Sequence, residues 1–278
     1  MTFKQYNLQK KYSRYNIYIK HRHFVPKILR SLIESPIVSP KNKKSWGFDL
    51  YISLGNNCLP AIALRILNLR TSSFPFDWLC GVPLERNLDW ILKDFRDFLN
   101  YSDLSYPEKV LEGDIHLRVE NIATGTFFIH DFLTNSLTEF QSIKEKYKRR
   151  SDRLLFSCKN KKLLFLYIES NPDKINYLTE DKKILQKLDQ VKEKLKAKDV
   201  RLILLHHSKE ETGKIKVLQS ENSTLYLFSS PKAKQMSSEK EKLGLALLLN
   251  EILQTIKADT KDYPESSSST TERPQQND

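Results

Sequence analysis

A chain of 278 residues with 39% hydrophobic content can bury one sizeable core, and its seven glycines and 29% charged residues exclude collagenous, disordered and turn-rich all-β classes. Three widely spaced cysteines, Cys58, Cys80 and Cys158, form no C-x-x-C pair, which argues against a disulfide framework and a zinc site and points to a reducing compartment. The net charge of +12 is concentrated in residues 1–46, where eleven Lys and Arg face one acid, so it describes an arm more than the body.

That arm interleaves Tyr6, Tyr12, Tyr15 and Tyr18 with lysines and arginines, then runs from Phe24 to Ile33 as a short amphipathic segment opening at Pro26. Local packing on its own domain is the simplest expectation, and contact with an anionic membrane surface is the alternative. Nothing in the body continues the basic patch, so nucleic-acid binding is not expected. No apolar leader or spanning segment is visible in the residues, and the expected location is cytoplasmic.

The body, residues 47–257, opens with a β-rich run over 48–54, a turn at Ser53-Leu54-Gly55-Asn56-Asn57-Cys58, and a helical stretch carrying Ala61, Leu64, Ile66 and Leu67. Further strands are predicted over 126–130, 163–168, 200–205 and 225–228. Helices are predicted over 84–99, 138–156, 181–197 and 239–256. Runs such as Leu163-Leu164-Phe165-Leu166-Tyr167-Ile168 are apolar on both faces and alternate with helices of crossover length. The expected fold is therefore α/β, a mostly parallel sheet flanked by helices in three layers. The tail, residues 258–278, is poor in apolar side chains and is expected to be disordered.

In such folds ligands bind at the carboxyl ends of the strands. Gly55, Asn56, Asn57 and Cys58 fall at such an end, as do Asp131 and His206-His207-Ser208. Cys58 would begin a helix, with Asn56 or Asn57 as cap and Pro60 in the first turn; the free N–H groups and the dipole there favour thiolate and could hold an oxyanion. The competing reading is a buried structural cysteine. A thiolate catalyst needs an imidazole, and His130, ending a predicted strand, is the best placed of six histidines, with Asp77 or Asp131 as the orienting group. His206 and His207 suggest a metal only weakly, since neighbouring side chains diverge; no metal and no cofactor are expected. Arg65, Arg149 and Arg150 could grip a carboxylate or phosphate, although a cluster such as Lys144 to Arg153 is more often a solvated face. G-x-G-x-x-G, P-loop, H-E-x-x-H and G-x-S-x-G signatures are missing from the sequence.

The succession Ser53-Leu54-Gly55-Asn56-Asn57-Cys58, Leu69-Arg70-Thr71-Ser72-Ser73-Phe74-Pro75-Phe76-Asp77-Trp78, Phe128-Ile129-His130-Asp131 and Tyr147-Lys148-Arg149-Arg150 resembles a bacterial domain family of unknown function described as papain-like cysteine peptidases. The resemblance spans roughly residues 48–210. It implies a Cys58 and His130 pair with an acidic or amide partner, acting on an amide or ester of a small molecule, a peptide or a glycan-linked substrate. It also implies an alternative α+β fold of papain type. A second functional reading is a transferase or ligand-binding protein of surface-polysaccharide assembly, with an anionic ligand and a structural Cys58.

Overall fold

A computed structural model describes residues 46–108, 116–171, 181–208, 213–233 and 238–261. The chain divides into two units, residues 1–42 and 43–278; the first, which holds nearly all of the basic arm, lies outside the described residues, as does most of the tail.

The larger sheet has strand order β1 (Leu50–Ser53), β6 (Lys162–Glu169), β7 (Asp199–His207), β9 (Ser223–Ser230) and β8 (Gly213–Gln219). β1, β6, β7 and β9 run parallel, and β8 closes one edge antiparallel to β9. Every residue of β6 from Leu163 to Glu169 is buried, as the unbroken apolar run predicts for a strand covered on both faces. Alternate side chains enter two different cores. Leu164, Leu166 and Ile168 pack with α1 (Leu59–Ile66) and α5 (Glu239–Lys261), where Leu245, Leu249, Ile252 and Ile256 form one helical stripe. Leu163, Phe165 and Tyr167 pack on the other side with α2 (Leu84–Leu92), α3 (Leu137–Ser157) and α4 (Asp181–Leu195). The main sheet is thus the expected three-layer α/β arrangement.

A second, four-stranded sheet departs from that expectation. Its order is β2 (Leu79–Cys80), β5 (Thr126–Phe132), β4 (Leu117–Asn121) and β3 (Leu104–Ser105), and all its pairings are antiparallel. The segment 126–130, expected as one more parallel strand, belongs here. The reason is local: Gly125, at φ +68, and the Gly125 N–H to Asn121 carbonyl bond of 2.8 Å fold β4 directly back onto β5. A hairpin joins antiparallel strands, whereas a parallel neighbour needs a crossover of a dozen or more residues.

α2 also stops seven residues before the expected end. The backbone turns left-handed at Asp94, Phe95 and Asp97, which buries Phe95 and Phe98 against Phe76 and Tyr147, with ring centroids 5.5 Å apart in the Phe76–Phe95 and Phe98–Tyr147 pairs. Aromatic burial outweighs the helical propensity of the segment.

Candidate functional site

The turn after β1 is built from its backbone outward. The Leu54 N–H donates to the Leu166 carbonyl at 2.9 Å, extending the sheet by one residue, and the Asn87 side-chain amide donates to the Leu54 carbonyl. Gly55 and Asn56 then adopt φ of +80 and +71, the region glycine enters freely and asparagine tolerates. A Cβ on Gly55 would lie 3.0 Å from the Phe76 carbonyl oxygen and 3.3 Å from its Cβ. Gly55→Ala should therefore lower unfolding free energy by about 1–3 kcal/mol, read as a shift of the urea midpoint; an unchanged midpoint would mean that the turn relaxes without strain.

The segment following the Ser-Phe-Pro-Phe-Asp-Trp block is fastened over this turn. Gly81 donates to the Asn56 carbonyl at 3.1 Å, and the Tyr167 hydroxyl donates to the Val82 carbonyl at 3.1 Å. Asn57 holds the other side. Its Oδ1 accepts from the Leu59 N–H at 2.8 Å, and its Nδ2 donates to the Ile168 carbonyl at 3.3 Å and to Ser170 Oγ at 2.8 Å. Asn56 Nδ2 reaches the same Ile168 carbonyl at 3.5 Å.

Cys58 is the residue at the N-cap of α1, with Pro60 in the first turn and the Cys58 carbonyl accepting from Ile62 at 3.0 Å. The cysteine starts the helix as expected, and burial opposes the effect of the helix terminus. Burial pushes the half-buried Cys58 thiol above its ordinary value, and its own backbone amide, Lys242 and Arg65 only oppose that shift. Desolvation beats the helix terminus because the thiolate has lost water on most sides, whereas the dipole acts as a fractional charge. The resting group is the thiol. Burial raises the thiol of Cys80, the end of β2, to about 11.

His130 lies on β5 and is exposed. Its ring stands edge-on to Trp78 at 5.8 Å and to His116 at 6.3 Å, while the Arg70 guanidinium lies 5.7 Å over Trp78. Cys80 pairs with Phe127, three residues before His130 on β5.

The two expected orienting carboxylates both have partners outside the Cys58 turn. Asp77 is fully buried; its Oδ2 accepts from Arg70 Nε at 3.0 Å, from Arg70 Nη2 at 2.5 Å and from the Phe74 N–H at 3.0 Å. Asp131 turns inward to accept from the Tyr147 hydroxyl at 2.7 Å and to pair with Lys146. Arg150 lies over the Tyr147 ring at 5.4 Å, and Arg153 donates to the Ser73 carbonyl at 2.6 Å. Arg153 thus ties α3 to Ser73, just before the Phe74 to Trp78 loop. Arg149 is exposed on α3, and Arg65 is exposed in the last turn of α1.

Sequence reasoning missed Glu169, Ser170 and Asn87. A charged residue closing an otherwise apolar strand, as Glu169 does, is the signal that could have found the first. Ser170 and Asn87 carry no comparable mark.

The fold and site define an α/β protein with a helix-start cysteine at the carboxyl ends of parallel strands. The chain belongs to the family described as "putative papain-like cysteine peptidase (DUF1796)", whose model matches residues 49–210. It is also similar to "Uncharacterized protein R408" of Acanthamoeba polyphaga mimivirus, 37% identical over 145 residues that make up 46% of this chain and 65% of the relative. The match therefore covers just under two thirds of that relative. No solved structure matches the chain. No described helix is long and apolar enough to cross a membrane.

Proposed function

We propose that the protein is a cysteine-dependent hydrolase or acyl transferase in which Cys58 is the nucleophile and His130 the imidazole that takes its proton. The substrate carries an amide or ester carbonyl, on a small molecule, a peptide or a glycan-linked group. The observation that carries this reading is the Gly55 to Cys58 turn, which sets a half-buried thiol among backbone amides where strand ends meet a helix start.

Because burial keeps the resting thiol protonated, the proton leaves as the carbonyl is attacked, and His130 then carries it to the departing amine or alkoxide. The oxyanion faces turn amides such as the Cys58 N–H, and a thioester on Sγ results. Trp78 stands edge-on to His130 and would fix the ring's orientation.

Iodoacetamide alkylation followed by peptide mapping tests the pair. Cys58 should react faster than the buried Cys158, whose thiol burial raises to about 12. The Cys58 rate should carry a pH-dependent component that His130→Ala removes. A Cys58 alkylation profile that is identical in wild type and His130→Ala would leave Cys58 a structural residue.

A further inference from the structure

The carboxyl ends of β6 and β7 hold a second imidazole beside a buried carboxylate. Glu169 ends β6, His206 is the next-to-last residue of β7, and the two are register partners on adjacent parallel strands. Both continue the alternation that places Phe165 and Tyr167, and Leu202 and Leu204, in one core, so their side chains share a sheet face about 5 Å apart. His207 takes the opposite face. Glu169 is 2% exposed, and its Oε1 accepts from the Asn171 N–H at 2.9 Å. The Nε2 of the half-buried His206 is shut off from solvent and has no hydrogen-bond partner among the described residues, an arrangement that needs an explanation in a native structure.

The pair is fastened to the cysteine turn. Asn57, immediately before Cys58, bonds through Nδ2 to the Ile168 carbonyl and to Ser170 Oγ, the residues on either side of Glu169. The carboxyl ends of three neighbouring strands, β1, β6 and β7, thus carry the cysteine turn, a carboxylate and an imidazole.

We infer that His206, backed by Glu169, is the base that activates water in the second half of the reaction, an inference that rests on Cys58 being the nucleophile. Water bound against His206 loses a proton to the imidazole and its oxygen bonds to the thioester carbon. The carbon–sulfur bond breaks, the carboxylic acid leaves, and the proton passes from the imidazolium to the Cys58 thiolate. Buried Glu169 stabilises the imidazolium in between. Burial holds the resting imidazole below its ordinary value, with Glu169 opposing and His207 adding to the shift, so His206 rests as the neutral base that the step requires. His130, on the other sheet, handles the thiol proton in the first half.

The test uses p-nitrophenyl acetate, whose leaving group needs no acid. Wild type should release a burst of p-nitrophenolate, acetylate Cys58 and then turn over steadily. His206→Gln should keep the burst, accumulate acetyl-Cys58 and lose steady turnover by about 10²-fold or more. Glu169→Gln should show the same pattern more weakly, and His207→Gln should behave as wild type. Added hydroxylamine, which attacks thioesters without a base, should restore turnover to His206→Gln, a rescue no merely structural role would give. Wild-type steady turnover in folded His206→Gln and Glu169→Gln overturns the inference. So does loss of burst and turnover together in a folded variant. A wild-type enzyme that never acetylates Cys58 overturns the nucleophile reading itself and this inference with it, and is told apart by the missing burst.

Discussion

Cys58→Ser should reduce hydrolysis of p-nitrophenyl acetate by about 10³-fold or more relative to wild type, with the fold intact. The expected size follows from the role. A nucleophile that forms the covalent intermediate cannot be bypassed by the groups around it, and serine in the same turn keeps the shape but has a far higher pKa than a thiol. The fold should survive because the turn is held by Gly55, Asn56 and Asn57 backbone and amide bonds, none of which uses the sulfur. Initial rates corrected for uncatalysed hydrolysis, beside circular dichroism of both proteins, make the comparison. A serine variant within threefold of wild type would return Cys58 to the framework.

Asp77→Ala should be the most destabilising single change in the loop block, by about 3–5 kcal/mol, or roughly 6–20 °C in Tm for a domain of this size. Asp77 is fully buried and receives Arg70 twice and the Phe74 N–H once. Removing it strands a guanidinium whose side chain is only 14% exposed and leaves a buried amide without its acceptor. The ion pair itself adds little net stability. Burial raises the Asp77 carboxyl above its ordinary value despite Arg70, so the folded state holds the proton more tightly than the unfolded state. The Asp77 contribution to stability therefore falls as pH rises from the unfolded value of about 3.8 through the folded one. Thermal melts of wild type and Asp77→Asn at several acidic pH values show this as a difference in slope. The same variants separate stability from catalysis: loss of Tm with activity retained at low temperature supports a framework role for Asp77, whereas full activity loss in a stable Asp77→Asn would make it part of the chemistry.

The parallel core was legible because its strands are apolar throughout. Leu163 to Ile168 and Leu202 to Leu205 can only be buried on both faces, and the amphipathic stretch at 239–256 supplies one of the covering helices. The small sheet was not legible. Leu79–Cys80 and Leu104–Ser105 are two residues each and carry no periodicity, and Leu117–Asn121 is too short for a firm alternation. Without them Thr126–Phe132 reads as another parallel strand. The edge strand Gly213–Gln219 was also missed, since its lysines protect an exposed edge and dilute the β pattern.

At the site, the cysteine's position was readable from Gly-Asn-Asn, residues suited to left-handed backbone before a helix. Its titration was not, because the sequence shows the helix start but not the depth of burial that outweighs it. Asp131 was placed at a strand end on the assumption of a parallel strand; in an antiparallel strand it turns toward Tyr147 and Lys146. The Glu169 and His206 pairing depends on the register of two strands some forty residues apart, which no local pattern encodes.

The most direct measurement of the central claim is the site of acylation. Wild-type protein quenched in acid during turnover of p-nitrophenyl acetate, digested and analysed by peptide mass spectrometry, should carry a hydroxylamine-labile acetyl group on Cys58 that disappears as substrate is exhausted. Sustained hydrolysis with Cys58 never modified would contradict the account.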